Sequence, residues 1–147
     1  ESFSDGLEEL KLLLDGHYQE LSSHREHGYK LDPDYVFYCE REKIGNLLYV
    51  TLRHYGKLVG YFIGHLARDP HYRAMSLKMD IFYVVPEHRG YSGGRVLMEA
   101  VHAAAKTNGV DPIYMIFKEE HRTHMQAMLE ALGYKAFERT YVMWLGG

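Results

Sequence analysis

Cysteine is almost absent from the 147 residues, Cys39 being the single one. That excludes a disulfide framework, and a reducing, cytoplasmic compartment is the expected setting. No apolar run reaches the roughly 20 residues that a membrane-spanning helix needs, and no signal-peptide pattern opens the chain, so no membrane partner is expected. A basic surplus is missing too. The formal net charge is -3 and the pI near 6.4, whereas nucleic-acid binders carry excess positive charge to neutralise phosphates, so nucleic acid is not the expected partner. Histidine is not scarce, and both His24/His27 and His121/His124 stand at i, i+3 spacing. No HExxH motif or Cys/His cluster accompanies them, so solvated helix faces are expected and no metal. The first residue is Glu1 rather than Met, which suggests a trimmed segment lacking an N-terminal element.

What is present is ordinary for a globular chain: 46% hydrophobic and 25% charged residues. No linker, repeat or low-complexity tract divides it, so one domain over 1–147 is expected. Leu7, Leu10, Leu14, Tyr18 and Leu21 recur at helical spacing, with Asp5 and Glu8 as a capping box. In "DPDYVFYCEREKIGN", Asp32 is the expected cap, Pro33 the first helical residue and Gly45 the stop, although the aromatics leave a strand open. "LLYVTLRHYGKLVGYFIGHLA" reads as a hairpin turning at Tyr55-Gly56-Lys57, and "SLKMDIFYVV" as a third strand ending at Pro86. A helix follows from Gly93 to Asn108, with Val96, Leu97, Ala100, Val101 and Ala104 on one face and Gly109 as its stop. "PIYMIF" is a strand, "HRTHMQAMLEAL" a helix ended by Gly133, and "AFERTYVMWL" a closing strand. The order α, α, β, β, β, α, β, α, β predicts an α/β fold with a sheet of five or six strands.

"PEHRGYSGGRVL", residues 86 to 97, is the chemically unusual stretch. It joins a strand to a helix, where the first backbone N–H groups lack internal partners and the helix dipole adds positive potential. Gly90, Gly93 and Gly94 remove side chains that would hold an anion off, and Arg89 and Arg95 add charge and forked donors. The turn suits phosphate or pyrophosphate. The plainer alternative is a flexible turn with a helix cap. It is neither a Walker loop nor a Rossmann fingerprint, since neither spacing is met.

With its flanks, "DIFYVVPEHRGYSGGRVLMEAV" resembles the core motif of the GNAT superfamily of acyl-CoA-dependent N-acetyltransferases. There a strand ends in Val-x-Pro and Arg/Gln-x-x-Gly-x-Gly/Ala opens a helix. Val84 and Pro86 take the strand-end positions, Arg89 the Arg/Gln position and Gly94 the last. Ser92 stands where the middle glycine is usual, with Gly93 beside it. "LEALGYKAFERTYVMWL" also resembles the family's closing helix, Gly-aromatic turn and final strand.

The resemblance implies a mixed, mostly antiparallel sheet flanked by helices, with the family's first strand missing, in a short single-domain member of the bacterial and phage type. It implies acetyl-CoA as acyl donor. The pantetheine arm would lie along Tyr83, Val84 and Val85, and the pyrophosphate on the loop of Arg89, Gly90, Tyr91, Ser92, Gly93, Gly94 and Arg95. The acceptor would be a small-molecule or peptide amine, attacking the thioester directly without metal or covalent enzyme intermediate. Such an amine, with pKa near 10.4, is mostly protonated at pH 7, at a cost of roughly 4 to 5 kcal/mol, so a base is needed.

Asp80 matches the place of the family's usual Glu and is the expected base or amine-binding carboxylate, with alternation putting it on the face of Phe82 and Val84. The family's usual acid, a tyrosine, is replaced here by Leu129, and its usual asparagine by Arg122. Tyr141, His121 and His124 are the substitutes in that region. By the same resemblance, Tyr29 and His27 would line the acceptor site. A homodimer stays open, as does a GNAT-like interaction module that binds CoA weakly or not at all.

Overall fold

The helical spacing at the start forms α1, Phe3–Leu21, in a computed structural model that describes residues 1–21, 23–90 and 92–146. The helix begins ahead of the capping box expected at Asp5 and Glu8, and the reason lies in the second helix. The Glu42 carboxylate accepts the Phe3 N–H at 2.5 Å and the Ser4 N–H at 3.1 Å, while Ser2 Oγ accepts from Asp5 N at 3.4 Å. A carboxylate from a neighbouring helix thus does the work of a local cap. Glu8 instead pairs with Lys11 at 2.6 Å.

The second helix, α2, spans Tyr35–Lys43 and is capped by Asp34, not Asp32: Asp34 Oδ1 accepts from Phe37 N at 2.9 Å. Pro33 therefore precedes the helix, consistent with its bias of Asp32 away from helical geometry. That start puts Tyr35, Tyr38 and Cys39 together against the core. Gly45, at φ 74, ends the helix, with Asn46 N–H reaching Arg41 O and Gly45 N–H reaching Glu42 O, each at 2.9 Å.

The chain divides into two compact units, Glu1–Ile116 and Phe117–Gly147. The first holds one sheet in the order β1-β2-β3-β4. Strands β1 (Leu47–His54) and β2 (Lys57–Arg68) form the expected hairpin, turned by Tyr55 and Gly56 at φ 49 and 79. Positive φ at both turn positions matches the twist of the strands. Strand β3 (Met75–Val84) pairs antiparallel with β2, and β4 (Ile113–Tyr114) runs parallel to β3. A single turn, α3 (Pro86–Arg89), and then α4 (Gly93–Thr107) connect β3 to β4.

Among the described residues four strands stand where the sequence predicts five or six. "PIYMIF" contributes only Ile113–Tyr114, and "AFERTYVMWL" forms no strand among the described residues. Apolar alternation marks a face but supplies no neighbour, and a strand exists only where another takes its hydrogen bonds. The second unit holds a 3-10 turn, Glu119–His121, and α5 (Arg122–Ala131), closed by Gly133 at φ 93.

Strand β2 is covered on both faces, which explains its run of buried residues from Leu58 to Gly64. On one face α4 lays Leu97, Met98, Val101 and Ala105; Val96 and Ala100, expected on that stripe, are exposed. Burying each large side chain there contributes on the order of 1.5–3 kcal/mol. On the other face Tyr61 and Ile63 join Tyr49, Tyr83 and the α1 residues Phe3, Leu10 and Leu14.

Candidate active site

Strand β3 slips out of register with β2 at one point. Ile81 faces Ile63 but Met79 faces Gly64, so Asp80 is the extra residue of a β-bulge. Strict alternation predicts Asp80 on the face of Phe82 and Val84. The bulge turns it to the opposite one. Asp80 Oδ2 accepts the Tyr38 hydroxyl of α2 at 2.6 Å and lies 3.0 Å from His65 Nε2, while Val84 sits against Gly93 of α4. Opposite the bulge, a Cβ on Gly64 would meet Leu77 Cδ1 at 2.6 Å and the Phe62 ring at 2.7 Å, so only glycine fits there without displacing them.

Neither Tyr38 nor His65 is singled out by the sequence. The visible signal was Gly64, one of two glycines inside β2, with His65 beside it, since a glycine within a strand marks a bulge or close approach. Burial and the bond to Asp80 push the Tyr38 phenol well above the usual tyrosine range, so it stays a donor. His65 Nδ1 is buried without a partner, and a carboxylate only accepts, so Nε2 carries the proton toward Asp80. Both bonds fall on Oδ2. Among the described residues none reaches Oδ1, which is left for an incoming donor.

On this face lies a cavity of about 300 Å³ between α1, the α1–α2 connection and the sheet. Tyr38 and Ile81, the residues that respectively bond and follow Asp80, are part of its wall. Tyr29 lines it as well. His27 sits in the neighbouring 3-10 turn and does not.

The edge of β3 that faces β4 is paired only at Leu77–Ile113 and Lys78–Tyr114. From Met79 to Val84 no strand pairs with this edge among the described residues. Nearer the turn, two of the expected contacts are already used: Val85 N–H donates to Val59 O at 2.8 Å, and Val84 O accepts Arg89 Nε at 2.7 Å. Tyr83 donates its hydroxyl to Glu20 at 3.2 Å.

The loop itself runs through Gly90 to Ser92, which takes the left-handed conformation at φ 61 and makes no side-chain cap bond. Tyr91 lies outside the described residues. The first intrahelical bond of α4 joins Val96 N to Ser92 O at 3.0 Å, so the amides of Gly93, Gly94 and Arg95 precede the ladder. Gly93 is required by packing, since a Cβ there would lie 2.7 Å from His88 O. The Arg89 guanidinium grips both carboxylate oxygens of Glu20 at the end of α1 and holds that carboxyl below its usual range. Its fork is thereby engaged, and Arg95 pairs along its own helix with Glu99 at 3.0 Å.

His124 and Tyr141 belong to the second unit, where His124 is exposed on α5 and Tyr141 is 83% exposed. Among the described residues no group of His, Cys, Asp and Glu could hold a metal ion.

The family sequence model of acetyltransferases (GNAT) matches residues 12–134. No curated protein sequence matches significantly. Among solved structures, the chain is similar to the ribosomal-protein-alanine N-acetyltransferase of Brucella melitensis biovar Abortus 2308, with TM-score 0.74, 20% identity, and coverage of 97% of this chain and 93% of that one. An aminoglycoside acetyltransferase from an uncultured soil metagenomic sample, in complex with sisomicin, gives TM-score 0.74 at 11% identity over 95% and 87%. Glucosamine-6-phosphate N-acetyltransferase from Arabidopsis thaliana gives 0.61 at 12% over 76% of each. At such identities the likeness shows the fold.

Proposed function

The chain belongs to the acetyltransferase (GNAT) family, and on that premise we propose that it is an N-acetyltransferase carrying an acetyl group from acetyl-CoA to a primary amine. The observation that carries the proposal is the bulge at Asp80. It presents a carboxylate with one oxygen unbonded, next to the cavity-lining Tyr38, on the strand whose outer edge no strand pairs beyond Lys78 among the described residues.

The residues present fit the donor. That edge of β3 would take the pantetheine arm, and the amides of Gly93, Gly94 and Arg95 at the start of α4 offer a positive end to a pyrophosphate. When bound, acetyl-CoA supplies an acetyl thioester, from which attack by a neutral amine expels a thiolate. Asp80 Oδ1 receives the ammonium proton, directly or through a water. Tyr38 and His65 hold the other oxygen and so fix the direction in which that proton leaves. Leu129 offers no proton to the departing thiolate. A thiol of pKa near 8.5 leaves tolerably unaided, and Tyr141 and His124 are the donors to test.

One other reading has support: an interaction module of the same fold that does not use CoA. It is favoured by Leu129 and by the engagement of Arg89 with Glu20. Calorimetric titration with acetyl-CoA separates the two. Micromolar binding is expected, lost in Gly94→Glu, which sets a carboxylate beside the anion site; at about 100 times the dissociation constant the ligand adds roughly 2.7 kcal/mol of stability. No binding by the unaltered protein would make it the interaction module.

A further inference from the structure

The cavity beside Asp80 is shaped for the body of an acceptor more than for charge. Leu10 and Leu14 of α1 and Ile63 and Ile81 of the sheet form much of its wall, with aromatic rings between them. Its charged lining residues are Lys30 and Asp32, both exposed on the connection between α1 and α2. A polyamine or an aminoglycoside brings several ammonium groups, and each one taken from water needs its own acceptor. Here one carboxylate is offered, and a lysine two residues away offsets it. At about 300 Å³ the space is at the lower limit for ligand pockets, with room for one ring and a short chain.

Resting on the transferase reading above, we infer that the acceptor is a primary monoamine with a single apolar or aromatic body. The body fills the cavity, where rings such as Tyr35 and Tyr38 pack against it edge or face on. Its one ammonium emerges at the Tyr38–Ile81 side and meets Asp80 Oδ1. A second ammonium would meet a wall made largely of Leu10, Leu14, Ile63 and Ile81, whose single carboxylate, Asp32, has Lys30 two residues away. Selection of this kind works by rejection, because an apolar wall penalises the wrong ligand more than it rewards the right one.

The test uses 2-phenylethylamine, spermidine and tobramycin, each titrated calorimetrically without CoA and with saturating CoA, beside a separate acetyl-CoA titration. Phenylethylamine is expected to bind at least tenfold more tightly than either polycation. Leu31→Glu adds an acid to the cavity lining at a residue 37% exposed. It should narrow that preference at least tenfold and leave acetyl-CoA affinity unchanged. Leu12→Glu, 79% exposed and outside the lining, should alter neither. Equal or tighter binding of spermidine or tobramycin, or no binding of any amine, overturns the acceptor class, while the acetyl-CoA titration still upholds the transferase. A preference untouched by Leu31→Glu overturns the cavity assignment. Failure to bind acetyl-CoA overturns both.

Discussion

The two faces of the sheet are built from the same strands and differ in almost everything else. Toward α4, Phe62, Leu77 and Val84 meet Leu97, Met98 and Val101, all buried and all apolar. Gly60, Gly64 and Gly93 bring backbone and side chain closer than a Cβ would allow. Toward α1 and α2 the same strands present Tyr49, Tyr61, Tyr83, His65 and Asp80. His17 stacks on Tyr83 at 4.6 Å and lies 3.0 Å from the Tyr61 hydroxyl, which burial keeps protonated. One face is held by apolar packing alone, while the other adds to its cluster of Phe3, Leu10, Leu14 and Ile63 a set of hydroxyl, imidazole and carboxylate groups, several of which bond one another. The pleat of β2 separates the two jobs residue by residue, so a carboxylate and a cavity can exist on one side without weakening the other.

The largest expected effect strikes the polar face through chemistry alone. Asp80→Asn should lower turnover by about 10²–10⁴-fold while leaving acetyl-CoA affinity and the melting temperature nearly unchanged, since an amide oxygen still accepts from Tyr38. Thiol-release kinetics beside a melting curve decide it, and a fully active variant would leave Asp80 with only a structural task. The apolar face should answer in the opposite way. Leu97→Ala removes buried surface and leaves a cavity, at a cost of about 2–5 kcal/mol in denaturant unfolding. The fraction still folded should keep its acceptor KM. If that constant shifts severalfold, the faces are coupled and the division fails.

What the sequence disclosed divides along the same line. The apolar side was legible: the hairpin, the strand ending at Pro86 and the helix from Gly93 all form, because periodicity and glycine placement are local signals. The polar side was not, because its geometry is set by pairing between distant segments. Counting in steps of two sends Asp80 to the wrong face, since the bulge depends on the register of β3 against β2 at Gly64. Tyr38 and His65 look like any helix or strand aromatic until that bulge turns Asp80 toward them. Local capping rules likewise chose Asp5 and Asp32, whereas Glu42 and Asp34 do the capping. The motif placed the loop before α4, but nothing local shows that Glu20 takes the fork of Arg89.

That dependence on polar bonds makes the α1 side sensitive to acid, and Glu42 allows the smallest of these effects to be isolated. Burial pushes its carboxyl up, but the bonds from Ser4, the Phe3 amide and Ser2 outweigh this and hold it below its ordinary value near 4.5. A depressed folded value means the stabilisation is fully present above the unfolded value and is lost as pH falls through the folded one. Glu42→Gln keeps an acceptor for one amide but removes the charge, so at pH 7 it should cost about 1 kcal/mol, the usual worth of a helix cap. The melting point should then fall by about 3 °C. As pH falls through that lowered value the variant and the unaltered protein should converge. Hydrogen exchange locates the loss: amides of α1 should exchange faster in the variant at neutral pH, with those of α4 unchanged. Equal acceleration in both helices would mean that the two faces open as one cooperative unit, and that their difference lies in chemistry and not in stability.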